Sequence, residues 1–555
     1  MHIAIVGGGI AGLATAVHLQ QKINSAKVTV YERDNNFDDR KPGYGLTLTY
    51  SESGALAALN ILERCARFDT PSRSHFIFWK DGSIRGYYGN AFLDQVSLLR
   101  TNGQRGNLRV ARQKLRGELL GMLCDKNAVQ WGKRLAGITS TSNNKMNLAF
   151  EDGTSSGEVD LVVGADGVNS KVRGLVLPTR NCLLRLGVFV ILGVTEHADC
   201  LLDGRGFYTV SDRTRFFTMP FESDEMGEDN TQTKATKYST MWQLSFVLSP
   251  GDEDITIDML KQMSPKDLQT EALRRTKNWH EPVGKMIITS ENVWGTELCD
   301  VENPIELHKR NDGGDDKKFD IKDGIILVGD AQHAMSPFKG QGANQSLIDA
   351  TELVSFLARG GKLKPTLRSF EREMNQRTRP KVLESRKGIF TLHDINEVAE
   401  FGFSCAAQDK GKIRELLALL RREGISSTTE DLDARCRSVI EKHGYLKLCE
   451  DDPGAADEDT NIWDESDFSG EFLAAVATGD MSKVRRMSNN KPRVCRMVSA
   501  DALAVADCLY VVKWLIMELK VQIDPGLLKS TIEKQKEMGG REQIVDFLTN
   551  VVCSI

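Results

Sequence analysis

The chain has 555 residues, a net charge of -5, and 40% hydrophobic and 27% charged residues. That is the balance of a water-soluble protein too long for one hydrophobic core, and it predicts roughly three domains. The charge gives no electrostatic case for nucleic acid or a membrane surface as partner, and no apolar run spans a membrane, Leu183–Val194 and Ile325–Val328 being interrupted or short. Eleven cysteines are scattered singly with no Cys-x-x-Cys pair, which reads as reduced thiols in a cytoplasmic compartment. The chain opens directly on a strand pattern, leaving no room for a signal or transit peptide.

Ile3–Val6 is a short apolar run that breaks at Gly7-Gly8-Gly9-Ile10-Ala11-Gly12. Helical spacing follows from Leu13 to about Gln21, and Val28–Tyr31 reads as a second buried strand. Strand, glycine turn, helix and strand make a βαβ unit. Gly7 permits the tight turn, Gly9 lets the backbone approach a pyrophosphate, and Gly12 allows the helix to pack closely on the sheet. The helix N-terminus then offers unpaired N–H groups to phosphates. Glu32 closes the second strand, twenty residues after Gly12, where a carboxylate accepts from ribose hydroxyls. This constellation says dinucleotide and leaves NAD or FAD open.

Further on come Glu32-Arg33 with Gly43-Tyr44-Gly45-Leu46, and Arg112 within Val110–Leu115. A buried strand at Val159–Val163 precedes Gly164-Ala165-Asp166-Gly167. From Leu183 to Glu297 the pattern alternates, as in Gly206–Val210, Arg215–Met219 and Tyr238–Leu248, the last with Trp242, Leu244, Phe246 and Leu248 on one parity. Period two predicts a mixed or antiparallel sheet with one wet face. The polar insert Ser223–Lys237 reads as a loop. Another buried strand, Gly324–Val328, leads into Gly329-Asp330, after which Gln345–Arg359 and Thr366–Lys387 are helical. Acidic residues cluster from Glu450 to Asp467 as a solvated linker between helical stretches 403–446 and 469–550.

The run Gly329–Pro337, followed by Gly340-Gln341-Gly342-Ala343-Asn344, resembles the second FAD fingerprint of the class A flavoprotein monooxygenases. This is the family of para-hydroxybenzoate and salicylate hydroxylases, zeaxanthin epoxidase and the tetracycline-inactivating oxygenases. The resemblance covers roughly residues 1–390. It implies FAD on the backbone of Gly7, Gly9, Ala11 and Gly12, with Glu32 and Arg33 beside it. It implies Gly329-Asp330 on the ribityl chain, and the segment of Gly342, Ala343 and Asn344 opening a helix toward the pyrimidine edge. A helix N-terminus there suits the negative charge of reduced flavin. The segment Asp160–Arg173 resembles the family's Asp-Gly motif, which implies a role for Asp166 with FAD and NAD(P)H. Gly45 and Arg112 match positions along the flavin and pyrophosphate.

The fold class expected on this basis is α/β. A Rossmann-like FAD-binding domain (residues 1–180 and 301–395) would carry an inserted mixed β-sheet substrate domain (181–300). An all-α C-terminal region would follow, as 396–449, an acidic linker 450–468, and 469–555. The activity implied is reduction of FAD by NADPH or NADH, reaction with O2 as co-substrate to a C4a-hydroperoxyflavin, and hydroxylation of an aromatic or other apolar small molecule. The flavin carries that chemistry, so no catalytic side chain and no metal is expected, and His333 reads as structural. Phe207, Phe217, Met219, Trp242 and Leu244 of the sheet, with Pro337 and Phe338, are the candidate substrate-pocket residues.

Cys405–Leu417 and Phe472–Val484 resemble the paired helices of an ankyrin repeat, with a looser echo at Asp501–Leu519. No Thr-Pro-Leu-His turn accompanies them, and a plain helical tail packed on the flavin domain is the competing reading. The other functions left open are an alkene epoxidase of the same superfamily, and a flavin-binding interaction or redox-sensing protein whose helical C-terminus recruits a protein partner.

Overall fold

A computed structural model of the chain describes residues 1–39, 44–70, 74–89, 107–178, 182–199, 201–202, 205–223, 238–248, 252, 255–308, 321–393, 418–429 and 432–442. The chain divides into two units, Met1–Cys449 and Glu450–Ile555. The second lies outside the described residues, as do Cys405–Leu417, so the ankyrin-like reading has no structural account.

The described strands are β1 (His2–Val6), β2 (Lys27–Tyr31), β3 (Gly45–Thr49), β4 (Ser74–Trp79), β5 (Ile84–Gly89), β6 (Asn107–Ala111), β7 (Val129–Gln130), β8 (Leu135–Ser140) and β9 (Met146–Phe150). They continue as β10 (Ser155–Val159), β11 (Leu161–Gly164), β12 (Leu183–Thr195), β13 (Gly206–Ser211), β14 (Thr214–Ser223), β15 (Tyr238–Val247), β16 (Glu291–Val301) and β17 (Ile325–Leu327). The helices that matter to the site are α1 (Ile10–Lys22), α2 (Arg112–Gly121), α3 (Lys171–Val176), α4 (Gly342–Ala358) and α5 (Leu363–His393).

Five strands pair in the order β17-β11-β1-β2-β7, every pair parallel. Their residues are apolar on both faces because both faces are covered. One side buries Ile3, Ile5, Val28 and Val30 with α1 and α4, and the other buries Ala4, Val6, Val162 and Leu327 with β9 and α3. Glycine and alanine on α1 let it lie close to both its own sheet and α4.

The second sheet has seven strands, β16-β12-β15-β14-β13-β4-β5, antiparallel except where β13 runs parallel to β4. It is the mixed sheet that the alternation predicts, but it is not confined to 181–300. Its outer strands β4 and β5 come from a segment assigned on sequence to the flavin domain. β4 pairs with β13 across more than a hundred residues of chain, with β5 beyond it, and no local pattern announces such a contact. One face carries Phe76, Phe78, Phe189, Phe207, Phe216, Trp242, Leu244 and Phe246, packed against helices Pro265–Arg275 and Val283–Ile288. Each such side chain contributes about 2–3 kcal/mol by leaving water. Leu419, Leu420, Ile425, Leu432, Cys436 and Val439 join this core, anchored by Arg421 Nε to the Ile84 carbonyl (2.9 Å) and Ser427 N–H to that of Gly82 (2.8 Å). The described part of 396–449 thus packs on the sheet. No helix among the described residues is long and apolar enough to cross a membrane.

Candidate functional site

The site begins where β1 ends. Gly7 takes φ +109°, and a Cβ there would lie 2.5 Å from the Ala165 carbonyl oxygen. A Cβ on Gly12 would lie 1.9 Å from the Gly7 oxygen. Both positions exclude a side chain. The first turn of α1 has no capping side chain and no acidic residue, so its N–H groups and the positive end of its dipole stay available to an anion. Glu32 is buried and accepts from Gly8 N–H at 2.6 Å and Asp34 N–H at 3.1 Å. It fixes the turn. Arg33 beside it is exposed, 4.0 Å from Asp34.

Arg112 opens α2, its guanidinium 3.8 Å from where a Gly9 Cβ would stand. It is therefore no stray surface charge but a cation held beside Gly9 of the turn. Arg116, one helical turn on, escaped the sequence reading. It is fully buried, donating from Nε to the Gly8 carbonyl (2.8 Å) and from Nη1 to that of Phe37 (3.1 Å). Its plane lies over Phe37 and Trp131, at 5.0 and 5.5 Å. The i,i+4 spacing from Arg112 was the available signal, since it puts both on one helix face.

The second turn closes the site from the other side. Gly329 has φ +59°, and its Cβ would stand 2.9 Å from that of Ala11, so the two fingerprints abut. Beneath it the fully buried Asp349 accepts from Gly329 N–H (2.7 Å), His333 Nε2 (2.6 Å) and Arg377 Nη2 (2.9 Å). Burial alone would raise its pKa, but His333, Arg377 and the Gly329 amide overrule that and hold it at about 2. His333 is thus a strut under the turn, as the sequence suggested. Asp330 itself is pushed up by burial, against the pull of His333 and Arg112, and its Oδ1 lies 3.7 Å from where a Gly342 Cβ would stand. Gly342 and Ala343 begin α4, whose first turn again lacks a capping side chain or an acid. Asn344 donates to the Thr47 and Gly340 carbonyls (2.9 and 3.1 Å) and accepts from Thr49 N–H (2.9 Å). Its amide therefore staples α4 to β3.

Asp166 is committed within its own loop. It accepts from Ser170 Oγ (2.6 Å) and from the Lys171 and Val172 amides (2.6 and 3.1 Å), capping α3. From that helix the buried Arg173 reaches the Ala331 carbonyl at 2.8 Å, and Val168 as well. In this structure the Asp-Gly motif therefore supports the Gly329-Asp330 turn through Arg173.

The opposing wall is the seven-stranded sheet, and here the pocket candidates divide. Phe207, Trp242 and Leu244 point away, into the helix-covered core. Phe217 and Met219 lie on the cofactor side with Met241, Phe221 and Ala111. Gly45 donates its N–H to Met241 Sδ at 3.1 Å, and a Cβ on it would meet Met219 at 2.9 Å. Phe338 joins Tyr44, Trp294, Val190 and Leu192 on the same side, while Pro337 starts the short turn that carries it. The misassigned trio shares one cause: strict aromatic parity marks the face buried on both flanks, whereas the face along a cleft is mixed. A separate groove of about 590 Å³, beneath the first residues of β1 and β2, lies away from the glycine turns and is not this cleft.

Two uncapped helix N-termini, a neighbouring arginine, side-chain-free glycine turns and a carboxyl beside the second turn converge on one cleft. This donor set fits a dianionic pyrophosphate carried on a polyhydroxyl chain. The fold and this cleft define an FAD-binding oxidoreductase. Residues 2–48 match the family model for FAD dependent oxidoreductases, and residues 319–377 match that for the FAD binding domain. A probable FAD-dependent monooxygenase of Arthroderma benhamiae is 27% identical over 430 residues, covering 72% of this chain and 93% of the relative. The 6-methylsalicylate 1-monooxygenase atA of Aspergillus terreus is 24% identical, over 70% and 82%. Among solved structures, Klebsiella pneumoniae HpxO complexed with FAD and uric acid shares the fold at TM-score 0.57 and 21% identity, covering 79% of this chain and 97% of that one. The 2,6-dihydroxypyridine-3-hydroxylase of Arthrobacter nicotinovorans does so at 0.56 and 19%, over 74% and 98%. The chain is an FAD-dependent monooxygenase, similar in its motifs and fold to the class A flavoprotein monooxygenases.

Proposed function

We propose that the chain consumes NAD(P)H and O2 to hydroxylate an aromatic or other apolar small molecule. The observation that carries this reading is the cofactor-side face of the seven-stranded sheet. Met219 and Met241 lie against Gly45, with Phe217, Phe338 and Tyr44 alongside, and form an apolar wall for a ring. The compounds that relatives and neighbours are named for or bind, 6-methylsalicylate, uric acid and 2,6-dihydroxypyridine among them, favour oxygenated rings.

In this reading the backbone of Gly7, Gly9, Ala11 and Gly12, with Arg112, neutralises the pyrophosphate, and Glu32 accepts from the adenosine ribose. Asp330 holds the ribityl chain, and the first amides of Gly342, Ala343 and Asn344 stabilise negative charge at the ring edge. Asp166 acts through the helix it caps. When bound, FAD supplies reduction by nicotinamide and transfer of one oxygen atom from O2 to the substrate. The protein's own contribution is orientation and a dry, apolar roof.

The test is direct. Purified protein should show a flavin spectrum, and its NADPH oxidation should rise on adding hydroxylated aromatics. Failure to take up FAD on reconstitution overturns the reading. FAD without stimulation by any member of a broad aromatic panel would instead favour a flavin-binding interaction protein.

A further inference from the structure

Gln243 stands apart on the cofactor-side face of the seven-stranded sheet. Its neighbours across the strands are Leu192 of β12 and Phe217 of β14, and Met241 and Ser245 flank it along β15. It is 8% exposed. Among the described residues its side-chain amide has no hydrogen-bond partner, while nearby Ser245 bonds His393 and the Arg215 carbonyl. The amide atoms keep contact with solvent, so this polar group is presented to the cleft among leucine, phenylalanine and methionine. Met241, two residues earlier on the same face, touches Gly45, so Gln243 stands about 7 Å farther along the strand, over the same cleft. Phe217 beside it is only partly buried, which marks the mouth of an opening.

We propose that Gln243 is a specificity-determining residue of this cleft, and that it selects a ring bearing a hydroxyl next to a carbonyl. A side-chain amide presents a carbonyl acceptor and an N–H donor side by side, and its complement is an adjacent donor and acceptor on the ligand. Leu192 and Phe217 supply the apolar contact for the ring on either side. No carboxylate stands among Val190, Leu192, Phe217, Met219, Met241 and Ser245, and the Arg215 guanidinium on this face lies over Tyr208, Phe217 and Phe338, so the amide is the group that offers an acceptor and a donor together. A site built to bond a hydroxyl rejects the analogue lacking it, because the amide is then left unpaired under the ligand. The inference rests on the hydroxylase reading of the cleft and adds the substrate class.

The experiment uses the FAD-loaded full chain and the perturbation of flavin absorbance on binding. The probes are 2-hydroxyacetophenone and its methyl ether, 2-methoxyacetophenone. The hydroxyl compound should bind about tenfold more tightly than the ether. In Gln243→Leu and Gln243→Met that preference should collapse, with FAD retention unchanged and the ether bound as well as before. Equal binding of the two probes by the wild type overturns the proposal, as does an unchanged preference in the variants. Binding discrimination without any stimulation of NADPH oxidation would refute the hydroxylase reading and leave the role of Gln243 standing.

Discussion

A single methyl group is enough to test the first turn. With Gly12 replaced by alanine, the new Cβ would stand 1.9 Å from the Gly7 oxygen, a separation that no relaxation of one side chain relieves. Gly12→Ala is expected to yield protein without flavin, read from the ratio of visible to ultraviolet absorbance; normal flavin content would mean that the turn is not the pyrophosphate site. Asp330→Ala should leave the fold intact and weaken FAD retention at least tenfold, measured by flavin fluorescence on dilution. Asp349 is different, because it touches the turn only from beneath. Removing it by Asp349→Ala leaves His333 Nε2 and the Gly329 amide without their acceptor in the interior, while Arg377 keeps Glu373 and Gln345, so at about 1–3 kcal/mol per stranded group the melting temperature should fall as well as flavin content. Its carboxyl is held at about 2 when folded, below its ordinary value of 3.8. The stability it contributes is therefore complete above pH 4 and lost as pH falls from there toward 2. The wild type should lose stability across that acid window more steeply than an Asp349→Asn variant.

Among the elements, α5 does the most to join the two sheets. Glu371 accepts from the Leu307 and His308 amides at 2.8 and 2.9 Å, and Arg377 reaches Asp349. Arg386 clasps Asp300 of β16 at 2.7 and 2.9 Å, and His393 bonds Ser245 of β15 at 2.9 Å. Burial pushes Glu371 up to about 7, against the two amides. A carboxyl raised in the folded state binds its proton more tightly there than when unfolded, so stability declines as pH rises from about 4.5 through 7. Glu371→Gln, which cannot titrate but turns an NH2 donor toward one of the two amides, should melt below the wild type at pH 5.5 and close that gap as the wild type loses stability toward pH 8. A pH-independent difference would rule out this titration. Such contacts are where sequence reading stops. The βαβ unit, Glu32, Arg112 and the Gly329-Asp330 turn were legible because each is a short motif whose chemistry follows from residue type and spacing. Arg116, Arg173 and Asp349 were not, since each works on backbone far away in sequence. The alternation in Tyr238–Leu248 revealed that β15 has two faces but not which one faces the cofactor cleft. The hydrophobic signal is stronger for a face sealed by helices than for one that must admit a ligand.

At the scale of the whole unit Met1–Cys449, these ties predict one cooperative transition for both sheets. Tryptophan fluorescence, summed over the seven tryptophans of the chain with Trp131 and Trp242 among them, and release of bound flavin should follow the same thermal curve, and excess FAD at a hundred times its dissociation constant should add about 2.7 kcal/mol. Two separated transitions would show that α5 does not couple the sheets. The route of the chain through the seven-stranded sheet also governs what recombination can do with this enzyme. Strands β4 and β5 are encoded well upstream of β12–β16, and β13 has its parallel partner only in β4. A substrate cassette cut at 183 and 301 and exchanged with a relative would bring β13 to a foreign β4, and would leave native Phe76 and Phe78 facing a core they did not evolve with. Chimaeras that carry 74–89 along with 183–301 should keep their flavin and change their substrate, whereas those that exchange the continuous block alone should aggregate. The unit of inheritance for substrate choice in this protein is therefore split in the gene although it is whole in space.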